Sequence, residues 1–368
     1  MLIIVGLLYI FLVCSNIYCY IYSKNKKVIK ILSFLLLLLL LCGSEGYLNG
    51  TQHDLIFYKG QYDGTRVLFD NDFFLYYFFY ICRFIGQSLN LPFADWWTIM
   101  SVLSLLVIIF AIKIHDYNDH LLIIWFLLYF FTFYTGLKMY YGTCLYLLAY
   151  GYLKKGGVGN RIKYVVLTLL AAGMHCLFYA FLIMLVANYK IKKGIRKVDL
   201  IRLFVGGVVS FSFILKITGT VGLLSEILSL VNIDKISYYL SFSTGKGMLI
   251  PIGLHLLTLY AVKKYYKKIR DLDEDDRKIK EILYQTTLLA FLFYPMFMFS
   301  TTFGRWITVL SFVVLVSMGY RSEMRQKKDR LATLQYGLIV VCGYYIKTFV
   351  ISDGWKSYIV PLLDFRFF

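Results

Sequence analysis

Residues 164–189 read YVVLTLLAAGMHCLFYAFLIMLVANY, one apolar block set between Lys163 and Lys190. A helix that crosses a bilayer uses about 20 such residues. The block is therefore too long for one crossing and too short for two full ones, which need about 40. A single crossing places His175 mid-membrane and puts the basic residues after 189 on the opposite side from those before 164. An outward run that turns near His175 and returns keeps both basic flanks on one side. That turn is the reading adopted, with two short, tilted or re-entrant helices whose bend is covered by protein and not by lipid.

The rest of the chain agrees with an apolar solvent. Of 368 residues, 60% are hydrophobic and only 16% charged, where a soluble domain carries roughly a quarter charged. A water-soluble fold of this size would expose large apolar patches. Four prolines and no polar low-complexity tract give no sign of a second domain, so residues 1–368 are read as one integral membrane domain. The opening Met-Leu-Ile-Ile lacks a basic leader and a small-residue cleavage site, so the first segment is expected to be a retained span.

Apolar spans are predicted over 2–22, 28–43, 97–114, 121–136, 139–153, 198–216, 248–262, 282–303, 307–320 and 332–350. Residues 71–90 (NDFFLYYFFYICRFIGQSLN) carry Arg83 and Gln87 among aromatics, and either span or lie along the interface. The predicted class is all-α: a polytopic transmembrane bundle of roughly 11–13 membrane segments, short or re-entrant helices included. The net charge of +18 does not point to nucleic acid, because Lys and Arg cluster between spans at 24–30, 154–163, 190–202, 263–280 and 321–330. Such clusters mark cytoplasmic loops. All five face inward if 71–90 makes no full crossing and 164–189 turns back. The outer face then collects the N-terminus, 44–96, 135–140, His175, 217–247, 301–306 and the tail from 351.

Polar residues on that outer face are the candidates for chemistry. The first outer loop, EGYLNGTQHDLIFYKGQYDGTR (45–66), sets Asp54, Tyr58 and Tyr62 at i, i+4 and i+8, one helical face. A carboxylate and two phenols there bind and stack on sugars, or else form the solvated side of an amphipathic helix. Lys138, in FYTGLKMYYG, holds a phosphate or snorkels at a helix end. His175, after the small residues Ala171, Ala172 and Gly173, is the one group in its block able to exchange a proton near neutral pH. Its alternative is a satisfied interhelical hydrogen bond. Arg305, in MFMFSTTFGRWITVL, grips two phosphate oxygens or anchors with Trp306 at the interface.

Other polar features read as structural. The acidic run DLDEDDRK (271–278) is expected to be a solvated helical loop. His115 and His120 are five apart, not the four of paired ligands on one helix face, and His255 is expected in the core. The seven cysteines have no metal spacing and are expected as free thiols. Neither a nucleotide-binding glycine motif, nor a Ser-His-Asp arrangement, nor a zinc pattern is present.

Taken in order, these features resemble the EpsG family of exopolysaccharide proteins, related in kind to Wzy polymerases of O-antigen and capsule repeat units. The likeness is carried by HDLIFYKGQY, GLKMYYGTCLYLLAYGYL, AAGMHCLFYAFLIML, FGRWITVLSF and SYIVPLLDF, over most of the chain. Where the family usually has Arg then Gln, Lys138 and Met139 stand, and its Gly-Thr-Asp is Gln-His-Asp here.

The resemblance implies a glycosyltransferase in the bacterial inner membrane. It joins oligosaccharide repeats carried on undecaprenyl diphosphate, which serve as both donor and acceptor, at the outer face. The implied partners are this lipid-linked oligosaccharide, membrane lipids, a chain-length regulator and a flippase, with no nucleic acid, cofactor or metal. Within that mechanism Arg305, assisted by Lys138, stabilises the leaving diphosphate. His175 takes the acceptor proton, with Asp54 the runner-up. Asp54, Tyr58 and Tyr62 orient the glycan, and Arg66 and Tyr140 join the substrate-binding set. The rival classes are a lipid-linked oligosaccharide flippase or other transporter and a membrane glycan acyltransferase.

Overall fold

In the apolar runs, Leu, Ile and Phe favour continuous helix, and polar or glycine-containing turns interrupt it. The computed structural model describes residues 2–42, 53–65, 76–133, 137–188, 206–207, 249–268, 274–294, 297 and 304–351. Every regular element among these is helical. Arg66, the basic cluster 190–202, most of the 198–216 span, the loop 217–247 and the tail from 352 lie outside the described residues.

Along the chain come α1 (Leu2–Ile21), α2 (Lys27–Cys42), the short α3 (His53–Asp63) and α4 (Tyr77–Ser88), α5 (Phe93–His115), α6 (Asp119–Phe133), α7 (Leu137–Lys155) and α8 (Val158–Met174). A 3-10 segment (Cys176–Asn188) follows α8. After the 249 boundary come α9 (Leu249–Lys268), α10 (Glu274–Leu289), α11 (Arg305–Met318) and α12 (Lys327–Tyr345), the last running into a π-helical turn (Ile346–Ile351). Phe93–His115 and Lys327–Ile351 are long and apolar enough to cross a membrane, and Gly6–Ile21, Asp119–Phe130, Cys176–Ala187 and Arg305–Met318 are shorter apolar helices.

Antiparallel neighbours give the bundle two poles. α7 packs on α5 and α8, α9 on α10 and α12, and α1 on α2 and α6. The α7–α8 turn contains Gly156 and Gly157, whose φ of +70° and +81° are reached without strain only by glycine. At this pole Lys155 donates to the Ile114 carbonyl (2.7 Å), Lys30 pairs with Asp119, and Arg330 donates to the Ile21 carbonyl (3.0 Å). The described parts of the basic clusters at 24–30, 154–163, 263–280 and 321–330 therefore share one end, as their spacing predicts.

The block at 164–189 turns where expected. α8 stops at Met174, and the 3-10 segment runs back beside it, so that the Tyr164 hydroxyl donates to the Phe181 carbonyl at 2.6 Å. Leu185 and Val186 return to Val158, Ile162 and Val166, with which they line a groove of about 460 Å³. The 3-10 form resolves the length problem. A rise of about 2.0 Å per residue lets the short return leg match an α-helical leg at about 1.5 Å per residue. α4, at about 18 Å by the same rise, is too short for a full crossing. It sits against the far end of α8, where Tyr77 donates to the Leu169 carbonyl at 2.6 Å.

One expectation is corrected. The acidic run is not simply solvated, because Asp276 is buried and its Oδ1 accepts from Arg325 Nη2 at 2.5 Å, both side chains 1% exposed. Arg325 also donates to the Tyr265 hydroxyl (2.6 Å) and the Met318 carbonyl (3.0 Å), and so ties α9, α10 and α11 together. Sequence order hides this, since Asp276 and Arg325 meet only after two helices have packed. The histidines read as structural do make core hydrogen bonds: His115 Nε2 to the Leu148 carbonyl (2.9 Å), His120 Nδ1 to Asn16 Oδ1 (2.8 Å), and His255 Nε2 to the Thr287 carbonyl (2.8 Å).

Removing one member of a desolvated ion pair strands the other charge. Asp276→Ala is expected to destabilise the protein by about 3–5 kcal/mol, read as a lowered unfolding midpoint in detergent. A midpoint unchanged from wild type would show that Arg325 is solvated.

Candidate functional site

At the pole opposite the basic clusters, α3, α4, the start of α7, the end of α8, the start of α11 and the end of α12 come together. The site grows from α8. Its last turn is Ala171, Ala172 and Gly173, and a Cβ on Gly173 would lie 2.7 Å from the Tyr77 ring. The missing side chain is what lets α4 dock there. Beyond Met174 the chain opens at His175 (φ −150°, ψ 120°). Its Nδ1 accepts from the Leu177 N–H at 3.3 Å, and its carbonyl accepts from the Phe178 N–H at 3.0 Å.

Lys138 lies in the first turn of α7 and is only 3% exposed. Its ammonium donates to Gln61 Oε1 at 2.9 Å. It stands over the rings of Phe79, Tyr76 and Tyr58, at 4.0, 4.5 and 5.4 Å from their centroids. Three aromatic faces and an amide oxygen offset part of the desolvation of a buried cation. Gln61 is itself fully buried, and its Nε2 has no hydrogen-bond partner among the described residues. Tyr76 joins this box to the helix break. Its ring meets His175 edge-on at 6.2 Å and 86°, and its hydroxyl lies 3.6 Å from Cys176 Sγ.

Of the aromatic residues read from the first outer loop, Tyr58 faces Lys138, whereas Tyr62 turns to α5. The Tyr62 hydroxyl donates to the Leu91 carbonyl at 2.8 Å, and its ring packs on Trp96 at 4.9 Å. Its own carbonyl accepts from Arg83 and Gln87 of α4, so Tyr62 anchors three elements. Tyr140 is buried, edge-on to Phe126 of α6 at 6.1 Å. Asp54 falls in the first turn of α3, one turn before Tyr58.

Arg305 opens α11, half-buried, at the same pole. Gly304 before it admits a protein neighbour, since a Cβ there would meet Pro251 at 3.0 Å. A run of packed rings joins Arg305 to the break at His175: Trp306 stacks on Phe181 (4.8 Å, 24°), and Phe181 on Phe178 (5.8 Å, 28°). Phe178 in turn fills the place of a side chain on Gly142, one turn beyond Lys138, where a Cβ would lie 2.3 Å from its ring. The Tyr344 hydroxyl donates to Ser311 at 3.2 Å and fixes α11 against α12. That register brings Lys347 of the π-helical turn within electrostatic reach of Arg305.

Gln61, Tyr76, Phe79 and Lys347 are absent from the sequence-derived set. Lys347 carried a signal, a lone cation in an apolar helix. Gln61 and Tyr76 gave none, because their places depend on α3 and α4 folding over α7. The arrangement holds cations at two stations, Lys138 among aromatic rings and Arg305 beside Lys347, with an imidazole at the adjoining turn. Among the described residues no group of three His, Cys, Asp or Glu side chains comes together to hold a metal. The chemistry on offer is the binding of anions and of flat or ring-shaped apolar surfaces.

A family model described as the EpsG family matches residues 31–361. Neither the curated proteins nor the solved structures contain a match.

Overpacking at Gly142 tests whether Phe178 positions the turn. Gly142→Ala is expected to destabilise by about 1–3 kcal/mol, and Phe178→Ala in the same chain to recover part of that loss. Purely additive effects in a double-mutant cycle would separate the two residues.

Proposed function

The chain belongs to the EpsG family, and from that premise we propose that it is a membrane glycosyltransferase. It extends a polysaccharide by joining oligosaccharide repeat units carried on a polyprenyl (undecaprenyl) diphosphate. In this reading the basic pole lies on the cytoplasmic side of the bacterial inner membrane, in line with the inward bias of Lys and Arg. The opposite pole, with Lys138, His175, Arg305 and Lys347, lies at the outer face. The single observation that carries the reading is this segregation. The loop lysines and arginines gather at one end, while Lys138, Arg305 and Lys347 stand with His175 at the other.

Glycosyl transfer from a lipid diphosphate breaks the bond between the anomeric carbon and a diphosphate oxygen, and the electron pair leaves with the diphosphate. A new bond forms from the acceptor hydroxyl oxygen to that carbon, and the hydroxyl proton passes to a base. Fixed cations at the leaving oxygens lower the barrier because they strengthen their hold as charge develops. Arg305 supplies a planar fork for two oxygens, Lys347 adds charge beside it, and Lys138 is a second, compact point charge. Tyr58 and Tyr76 offer ring faces to sugars near Lys138. His175 takes the acceptor proton, with Asp54 the runner-up, and Arg66 and Tyr140 complete the substrate-binding set. Side-chain cations here do the work that a divalent ion does elsewhere.

Purified protein given a synthetic lipid-diphosphate repeat is expected to yield a ladder of products, undiminished by EDTA. Loss in EDTA with rescue by Mg²⁺ or Mn²⁺ would show a metal-dependent reaction. Cells lacking the gene should accumulate single lipid-linked repeats on the outer leaflet. Accumulation inside means a flippase, and full-length polymer lacking acyl groups means an acyltransferase.

Arg305→Lys keeps the charge and loses the fork, and turnover is expected to fall by about 100-fold. Wild-type chain length in that variant would remove Arg305 from the site.

A further inference from the structure

We infer that the side of α4 turned away from the bundle is the docking groove for the lipid-linked substrate. Arg83 holds its diphosphate, and Tyr80, Ile81 and Phe84 face its prenyl chain. That this lipid carries a repeat unit rests on the polymerase reading above. The fit to a prenyl diphosphate rests on the lining of the groove.

Most of the surface of α4 is committed to packing. Tyr77 and Phe78 meet Gly173 of α8, and Gly86 lies against Trp96 and Tyr62. Phe79 faces Lys138. On the remaining side Tyr80, Ile81, Arg83, Phe84 and Gln87 line a groove of about 430 Å³. Phe84 is 70% exposed, and Ile81, Ile85 and Leu89 are exposed along the same stripe. A helix too short to cross that bears such a stripe lies in the membrane interface, with its apolar residues among lipid chains.

Arg83 brings an unneutralised charge to this groove. The ion pairs among the described residues are Lys30–Asp119 and Arg325–Asp276. Arg83 instead donates from Nε to the Tyr62 carbonyl at 3.3 Å. That contact leaves the two terminal nitrogens as the part able to meet an anion. Gln87 donates to the same carbonyl, so one backbone oxygen fixes both polar groups of the lining. A guanidinium at a lipid interface is costly until it is paired or hydrated, and a phosphate offers two oxygens that match its fork.

Continuity with the Lys138 box selects the occupant. Tyr62, which holds Arg83, follows Gln61, whose Oε1 holds Lys138 at 2.9 Å. Neighbouring residues in the last turn of α3 thus hold the cation of the groove and the cation of the box. Phe79 of the box precedes Arg83 by four residues, about 6 Å along the helix. A glycosylated prenyl diphosphate has its parts in this order: chain along the aromatic groove, phosphates at Arg83, sugar toward Lys138 and Tyr58. An ordinary phospholipid has two acyl chains and one phosphate, and leaves Lys138 nothing to hold.

A photoreactive p-benzoylphenylalanine placed at Phe84 reports the occupant directly. Because Phe84 is so exposed, this change leaves the packed faces of α4 in place. With purified protein and radiolabelled undecaprenyl diphosphate, irradiation is expected to label the probe well above the same probe at Phe11, an exposed position on α1. Excess unlabelled undecaprenyl diphosphate should remove the label, and the same excess of phosphatidylglycerol should not. Equal labelling at the two positions, or equal competition by phosphatidylglycerol, marks an ordinary lipid-facing surface and overturns the inference.

Arg83→Gln in the Phe84-probe protein is expected to weaken labelling about tenfold or more, the worth of a charge-assisted hydrogen bond. With the synthetic lipid-diphosphate repeat, Arg83→Gln alone should raise KM by a similar factor and leave kcat within about twofold, since a dock holds substrate and transition state alike. A folded variant with unchanged labelling and KM overturns the inference as well. Where Arg83→Gln does not insert, labelling at Phe84 decides by itself. Failure of the polymerase reading looks different: wild-type protein makes no ladder, while undecaprenyl diphosphate still labels the Phe84 probe.

Discussion

A chain that reverses inside apolar surroundings must find partners for the backbone groups its broken helix exposes. Between Met174 and Cys176 this constraint is met within a few residues. The His175 N–H is bonded back to Ala171, the His175 carbonyl takes the Phe178 N–H, and the imidazole takes the Leu177 N–H. Small residues on α8 admit α4 as a cover for the bend, and Phe178 seals it against α7. With this reversal in place, the chain leaves and re-enters at the basic pole.

The two poles hold their guanidinium groups differently. At the basic pole the buried guanidiniums find an anion or carbonyls, as Arg325 does with Asp276 and Met318. Lys154 there lies 4.0 Å above the Tyr117 ring, a brace between the α5–α6 turn and α7. At the opposite pole Lys138 is wrapped by ring faces and one amide, and Arg305 lies near another cation. Like charges in electrostatic reach of each other raise the energy of that pole, a cost that an anion bound between them would offset.

Much of the architecture was legible in sequence because lipid-like composition and Lys/Arg clustering act over whole segments. The turn at His175 could be read from charge on both sides of one apolar block, and the helical class from apolar runs of spanning length. What could not be read is long-range. Asp276 looked solvated because its partner Arg325 lies two helices away. Tyr58 and Tyr62 looked equivalent at i and i+4, yet the helix edge between them separates a face toward Lys138 from a face toward Trp96 and Leu91. Spacing gives a shared stripe, and only the packing of α5 and α7 on either flank decides what each end of the stripe touches. The approach of Lys347 to Arg305 depends on how α12 packs against α11, where the Tyr344 hydroxyl reaches Ser311.

The departure at Lys138 and Met139 gains a structural reason from this packing. Where the family's usual Arg-Gln would present a cation and an amide from successive residues of one helix, here Met139 is buried and the amide comes from Gln61 on α3. A compact ammonium suits a box of three rings and one oxygen, whereas a guanidinium needs a flat slot and several acceptors. Tethering the amide to α3 couples the cation to the helix that also carries Asp54 and Tyr58. Any movement of that helix changes the surroundings of Lys138 at once, so the glycan-facing and phosphate-facing parts of the proposed site are mechanically one unit.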